Sequence, residues 1–173
     1  PFPWEPGLEY VTTLNCHKGS GSTYTILKDG SDFYLYSYRI SNNYGIIKQL
    51  VVKMDNVIDL DKAEFFGASN MLSVIYYTVG NKLYGYDFAR KKCELLKTFD
   101  GYEITLFSSD ILVQTSSDYF YIALYDPSKP TSTGGMIMKY KVVDDVDHII
   151  IEEEKGSEWK NLCKVKSIAF KTR

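Results

Sequence analysis

The chain has 173 residues, a length typical of one domain and sufficient to bury a substantial core. Its 20 basic and 22 acidic residues leave a net charge of −2, which argues against a nucleic-acid-binding protein because such proteins usually carry a basic face. No run of about 18 apolar residues occurs, so the sequence predicts no transmembrane segment. Aromatic residues make up 15% of the chain, and Tyr and Phe favour half-buried strands.

Short runs rich in Tyr, Val, Ile, Phe and Thr follow one another along the chain, and turn residues separate them. This pattern indicates many short β-strands rather than helices. Two of the breaks predict tight hairpins, one with Asp29 and Gly30 in its turn and the other around Gly80 and Asn81.

In chain order, the predicted strands form three units of four. The first unit has strands at 8–14, 23–27, 34–40 and 46–53, the second at 63–68, 72–79, 82–88 and 93–99, and the third at 103–108, 119–125, 136–142 and 148–154. Residues 164–171 resemble the starting strand of a unit and predict one further strand.

The third strands of the three units align with one another. Tyr38, Tyr86 and Tyr140 coincide in this alignment, and the period of roughly 50 residues with four strands matches the blades of a β-propeller. We therefore predict a single all-β propeller fragment over residues 1–173, with units at about 8–54, 63–100 and 102–155. A β-sandwich is the alternative. Three units do not close a propeller, so we expect missing blades or a second copy of the chain to complete the ring.

The strongest catalytic and cofactor motifs are absent from the sequence: GxSxG, HExxH, a Walker loop and GxGxxG. The two histidines, His17 and His148, have no evident catalytic partners. The three cysteines, Cys16, Cys93 and Cys163, are too widely spaced for a zinc knuckle or a redox pair, and we expect them to be buried and inert. The sequence predicts a protein without catalytic residues or cofactor.

Two groups of acidic residues allow a functional and a structural interpretation. Asp55, Asp59 and Asp61 are weak candidates for calcium ligands, but they lack the glycine and the terminal glutamate of an EF-hand loop, which favours a solvated connection. Residues 144–154 contain six acidic residues and no Lys or Arg. We interpret this segment as a charged outer strand protected against edge pairing, with a surface for a cationic partner as the alternative.

Aromatic residues in or near the predicted connections give the one positive indication of function. Exposed Tyr and Trp side chains can stack on sugar rings or anchor a protein partner. The candidate ligand-binding residues are Trp4, Tyr44, Tyr102, Tyr119 and Trp159.

Three short segments resemble the C-terminal propeller-like region of the Bacteroidetes PKD-like family of lipoproteins. They are residues 83–87 (LYGYD), 122–127 (IALYDP) and 166–170 (KSIAF). The resemblance implies an extracytoplasmic protein of the cell envelope, at the cell surface or in the periplasm, lipid-anchored through an upstream cysteine. It also implies PKD-like domains before the propeller, and it supplies no catalytic residues.

Together these observations predict a non-catalytic binding or scaffolding module that presents aromatic residues to a glycan or a protein. Two alternatives remain open. The chain can be part of a propeller enzyme whose catalytic groups lie outside it, or a purely structural module that mediates assembly.

Overall fold

The computed structural model of the protein describes residues 7–14, 22–41, 43, 45–69, 73–109, 119–144 and 147–168. Within these ranges the chain forms twelve β-strands and one turn of 3-10 helix, Leu60–Lys62. No helix in these ranges is long and apolar enough to cross a membrane. The predicted all-β class is confirmed.

The strands form three four-stranded antiparallel sheets, each with its strands in chain order. Sheet A contains β1 (Glu9–Leu14), β2 (Ser22–Asp29), β3 (Asp32–Ser41) and β4 (Gly45–Met54). Sheet B contains β5 (Phe65–Ala68), β6 (Val74–Val79), β7 (Lys82–Asp87) and β8 (Lys92–Thr98). Sheet C contains β9 (Glu103–Ser109), β10 (Tyr119–Tyr125), β11 (Gly135–Asp144) and β12 (Ile149–Leu162).

Two predictions about particular segments differ from the structure. The strand expected at 164–171 is not formed over 164–168, and its remaining residues lie outside the described ranges. Strand β12 continues to Leu162, so a segment expected to be a connection belongs to the outer strand of sheet C.

Both predicted hairpins form with two-residue turns, since Asp29 pairs with Asp32 and Val79 pairs with Lys82. In each turn the first residue is a glycine with positive φ, 58° at Gly30 and 56° at Gly80. Glycine adopts this conformation without a steric penalty. The first turn therefore consists of residues 30 and 31, one residue later than the sequence predicts.

The three sheets are stacked, and the three equivalent tyrosines mark the same face of each. Tyr38, Tyr86 and Tyr140 are all buried, at 2%, 0% and 1% exposure. Tyr86 lies in the core between sheets A and B, and Tyr140 lies in the core between sheets B and C. We call the face that bears these residues the tyrosine face of its sheet. Sheets B and C each direct the tyrosine face toward the preceding sheet.

Sheet A contributes its other face to the core it shares with sheet B. Phe33 and Leu35 alternate with Tyr38 along β3, and both lie in that core. The same relation holds between sheets B and C, because Leu83 of sheet B lies in the core that also contains Tyr140 of sheet C. We call this second side of each sheet the distal face. The tyrosine face of sheet A and the distal face of sheet C have no other four-stranded sheet against them in the described part of the chain.

Strand pairing agrees with the alignment of the repeats. The register of β3 with β4 shifts between Leu35 and Tyr36, and the register of β7 with β8 shifts between the equivalent residues Leu83 and Tyr84. Sheets A and B therefore share a bulge as well as a residue pattern, whereas in sheet C the shifts lie between Gly135 and Ile137 and between Met138 and Tyr140.

The core between sheets B and C is rich in aromatic contacts. Phe120 lies between Phe107 and Tyr140, with ring centroids 5.2 and 5.3 Å away, and Phe99 approaches Tyr140 edge-on at 6.2 Å. Such pairs contribute about 0.5–1.5 kcal/mol each beyond the area they bury. Tyr76 of β6 joins sheet B to this cluster, with its ring centroid 6.1 Å from that of Phe107 and 5.6 Å from that of Phe120.

Candidate functional site

An open cleft of about 420 Å³ lies between sheets B and C, where the chain passes from β8 to β9. Its walls combine aromatic and apolar side chains with five charged side chains. The lining residues are Lys97, Thr98, Phe99, Asp100, Tyr102, Leu124, Met136, Met138, Tyr140, Glu153, Glu158 and Lys160.

A tight connection positions Tyr102 in this cleft. The Phe99 N–H donates to the carbonyl oxygen of Asn81 at 2.9 Å, and the Tyr102 N–H donates to the carbonyl oxygen of Phe99 at 3.1 Å. Gly101 allows the chain to reverse between them because its φ is 79°. Tyr102 is half-buried and packs against the core between the two sheets, so its position is fixed while part of the ring remains open to the cleft.

Lys97 and Tyr140 form the polar part of the cleft next to the core. The Lys97 Nζ lies 5.0 Å from the centre of the Tyr140 ring, and it lies 4.0 Å from a carboxylate oxygen of Glu153. Burial, and secondarily the negative charge of Glu153, raise the pKa of Tyr140 above its ordinary value. The Tyr140 hydroxyl therefore stays protonated at neutral pH and can act as a hydrogen-bond donor rather than as a base.

The rim of the cleft carries charges of both signs. Glu158 and Lys160 lie two residues apart on β12 and form an ion pair. The hydrogen bond from Lys160 to Glu158 raises the pKa of the Lys160 ammonium. Asp100 adds a third charge at the turn. The cleft thus offers both donors and acceptors without a strong net charge.

The three candidate aromatic residues that the structure describes lie on two different surfaces. Trp4 and Tyr44 lie outside the described residues. Tyr102 lines the cleft, whereas Tyr119 on β10 and Trp159 on β12 lie on the distal face of sheet C. The Trp159 side chain is 48% exposed, and it belongs to a strand rather than to the connection that the sequence indicates.

Sequence reasoning missed several residues that the fold brings together. On the distal face of sheet C, Tyr121 lies 6.3 Å from Trp159 between ring centroids, and the Lys139 Nζ lies 3.9 Å from the centre of the Tyr119 ring. In the cleft, Lys97 meets Glu153 only because β8 and β12 belong to stacked sheets. No local pattern in the sequence marks that contact.

The structure does not bring the three calcium candidates into one cluster. Asp59 pairs with Lys62 at 2.6 Å, and Asp55 lies 3.9 Å from Lys91. Asp59 and Asp61 line a second cleft, also of about 420 Å³, together with Lys28 and the turn after β2. In the described ranges no three side chains of the metal-binding types come together.

One histidine contacts another sheet, and one cysteine differs from expectation. His148 is exposed, and its Nδ1 lies 3.0 Å from Oε1 of Glu94 on the neighbouring sheet. The expected burial of all three cysteines is wrong for Cys163, which is exposed, while Cys93 is half-buried against Tyr77. Cys16 and His17 lie outside the described residues.

No family model matches the chain, and neither the curated proteins nor the solved structures contain a match.

Proposed function

We propose that this chain is a non-catalytic binding module, built from consecutive blades of a β-propeller, that binds a carbohydrate in the cleft beside Tyr102. The observation that carries the proposal is the composition of that cleft: aromatic side chains together with charged groups of both signs, in an open space between two sheets.

The stacking of the sheets supports the propeller interpretation. Each sheet packs its tyrosine face on the distal face of the sheet before it, as successive blades do. The starting strands also lie side by side, since β5 contacts both β1 and β9. In a propeller these positions surround the central axis.

The cleft is suited to a neutral ligand rich in hydroxyl groups. A sugar presents an apolar ring face that packs against an aromatic side chain such as Tyr102, and its hydroxyls both donate and accept hydrogen bonds. The ammonium of Lys97 can donate to such a ligand, and the carboxylates of Glu153 and Asp100 can accept from it. A strongly charged ligand would instead meet groups of its own sign.

We extend the proposal to cellular location. The resemblance of residues 83–87 and 122–127 to the PKD-like lipoprotein family supports an extracytoplasmic protein of a bacterial cell envelope. Carbohydrates are abundant ligands at that surface, which agrees with the proposed binding role.

A glycan array followed by isothermal titration calorimetry tests this function. We expect Tyr102→Ala to weaken binding of a retained glycan at least tenfold, about 1.4 kcal/mol, and Tyr102→Phe to keep most of the affinity because the ring remains. Tyr10→Ala is the control, since Tyr10 is an exposed aromatic residue of sheet A, far along the chain from the cleft. Thermal unfolding of each variant confirms that it is folded.

Two results would overturn the proposal. One is an array on which no glycan is retained. The other is a retained glycan whose affinity is the same for Tyr102→Ala and the unmodified protein.

A further inference from the structure

The second cleft, which Asp59 and Asp61 line, lies between a hairpin of sheet A and the connection from sheet A to sheet B. One wall is the β2–β3 hairpin at residues 28–33, and the other is formed by residues 57–61 after β4. The volume of about 420 Å³ falls within the range of small-molecule sites in proteins. The cleft beside Tyr102 shares none of these lining residues, so the two clefts are separate sites.

The hairpin wall is an extension that the equivalent hairpin of sheet B lacks. With the third strands aligned on their buried tyrosines, Tyr34 corresponds to Lys82, the residue that follows the turn in sheet B. In sheet A the two strands continue past Tyr34 through two further residue pairs before they turn. Lys28 pairs with Phe33 in this extension, so neither of these two cleft residues has a counterpart in sheet B.

The connection wall is also longer than its equivalent. Residues 55–64 join β4 to β5, whereas residues 99–102 suffice to join β8 to β9. The additional residues include the 3-10 turn Leu60–Lys62. Insertions into a repeated unit commonly form its binding surface, because the sheets pack without them.

Hydrogen bonds and burial fix the shape of the connection wall. The Tyr77 hydroxyl bonds to the N–H and to the carbonyl oxygen of Ile58, at 3.2 and 2.7 Å. The Lys62 N–H donates to the carbonyl oxygen of Asp59 at 2.9 Å, which closes the 3-10 turn. Leu60 is buried in the core between sheets A and B. A ligand therefore meets a wall that is formed before it binds.

The floor of the second cleft is apolar. Phe33 is 5% exposed and Leu60 is 2% exposed, and both belong to the core between sheets A and B. Val57 is half-buried against the same core. This floor can receive an apolar side chain of a ligand, and burying that side chain favours binding.

Two side chains of opposite charge line the cleft without an ion-pair partner. The Lys28 Nζ lies 5.9 Å from the centre of the Phe33 ring, and it forms no ion pair with any residue that the structure describes. Asp61 is exposed and likewise forms no ion pair within the described ranges. The third charge is already engaged, since Asp59 binds Lys62 at 2.6 Å, and Asp61 raises the pKa of Lys62 to a lesser extent.

We propose that the second cleft binds an apolar α-amino acid in its zwitterionic form. The ligand carboxylate pairs with Lys28, the ligand ammonium pairs with Asp61, and the ligand side chain packs on the apolar floor. A ligand with a single charge would satisfy one of these groups and would place a like charge near the other. A zwitterion satisfies both groups at once.

Isothermal titration calorimetry with L-leucine tests the site, and three related compounds separate its parts. N-acetyl-L-leucine lacks the ammonium, L-leucinamide lacks the carboxylate, and glycine lacks the apolar side chain. We expect L-leucine to bind and each of the other three to bind at least tenfold more weakly. Tyr102→Ala should leave the affinity for L-leucine unchanged, which separates this site from the proposed carbohydrate cleft.

Two substitutions assign the charges, and each has a matched control. Lys28→Met keeps the apolar stem over Phe33 and should weaken L-leucine binding at least tenfold while L-leucinamide binding is unchanged. Asp61→Asn should weaken both compounds and leave N-acetyl-L-leucine binding unchanged. The controls are Lys82→Met, beside the shorter turn of sheet B, and Asp29→Asn, on the same hairpin but outside the cleft lining. Both control positions are exposed.

Several results would overturn the proposal. One is the absence of binding of L-leucine, L-methionine and L-phenylalanine at millimolar concentration. Another is an affinity for L-leucinamide or N-acetyl-L-leucine equal to that for L-leucine. A third is an unchanged affinity for L-leucine in Lys28→Met or Asp61→Asn. Thermal unfolding confirms that each variant is folded, and none of these outcomes depends on carbohydrate binding.

Discussion

Gly135 and Cys163 approach each other so closely that a Cβ atom on Gly135 would overlap the carbonyl group of Cys163. The same Cβ would lie 2.9 Å from the carbonyl oxygen of Leu162. Both neighbours are main-chain groups, which cannot rotate away as a side chain can. The absence of a side chain at Gly135 therefore allows β12 to pair with the start of β11.

We expect Gly135→Ala to lower the free energy of unfolding by about 1–3 kcal/mol, because the added methyl group forces the end of β12 away from β11. Urea denaturation measures the change. Ser132→Ala, at an exposed position of the same hairpin, should change the value by less than about 0.5 kcal/mol. An unaltered unfolding free energy for Gly135→Ala would contradict the close contact.

Glu94 makes the stability of the protein depend on pH. Burial alone would raise the pKa of this carboxyl, but hydrogen bonds from Lys92, from the Ile149 N–H and from His148 outweigh burial and lower it to about 2, against an ordinary value of 4.5. The ionised form thus stabilises the fold above pH 4.5, and this contribution is lost as the pH falls from 4.5 towards 2.

Glu94→Gln should therefore flatten the decline of stability between pH 4.5 and pH 2 and cost about 1–2 kcal/mol at pH 7. Chemical denaturation across this pH range measures both effects. Glu64→Gln, at an exposed carboxylate, is the control. A Glu94→Gln variant with the same pH profile as the unmodified protein would show that the contacts to sheet C do not act in solution.

Tyr77 joins the connection after β4 to sheet B through its hydroxyl group. This hydroxyl donates to the carbonyl oxygen of Ile58 at 2.7 Å and accepts from the Ile58 N–H at 3.2 Å, and the side chain is 0% exposed. We expect Tyr77→Phe to cost about 1–3 kcal/mol, because it removes these two hydrogen bonds and the one with Cys93 without changing the shape of the ring. Thermal or urea unfolding measures this cost. Tyr10→Phe, at 53% exposure, should have a much smaller effect, and equal effects would argue against the role of the hydroxyl.

The described cysteines should differ in reactivity. Cys163 is exposed, whereas burial raises the pKa of the Cys93 thiol despite its hydrogen bond with Tyr77. We expect a maleimide reagent to label Cys163 in the native protein well before Cys93, as read by peptide mass spectrometry. In denaturant the two cysteines should be labelled at the same rate. Equal rates in the native protein as well would contradict the difference in exposure between Cys163 and Cys93.

The three four-stranded sheets could be predicted because the third strands of the units share a residue pattern, in which Tyr38, Tyr86 and Tyr140 align. The length of β12 could not be predicted. Gly156 has a φ of 82°, and the register of β11 with β12 shifts between Met138 and Tyr140, so the strand accommodates residues that look like a turn.

Only part of the cleft could be found from the sequence. Tyr102 was identifiable because it follows the Asp100–Gly101 turn signal. Lys97 and Glu153 were not identifiable, since they lie far apart in the chain and meet through the packing of two sheets. Trp159 was identified as a candidate residue, but its neighbour Tyr121 had the alternating pattern of an ordinary strand residue.

Sheet B is the one sheet in the described part of the chain that is covered on both faces by other sheets, and the end sheets each lack one such neighbour. Its two central strands accordingly show almost no alternation of burial, with β6 buried from Val74 to Thr78 and β7 from Leu83 to Asp87. Amide hydrogens of β6 and β7 should exchange with deuterium last, because opening them requires separation from both neighbours, while β1 and β12 should fray first.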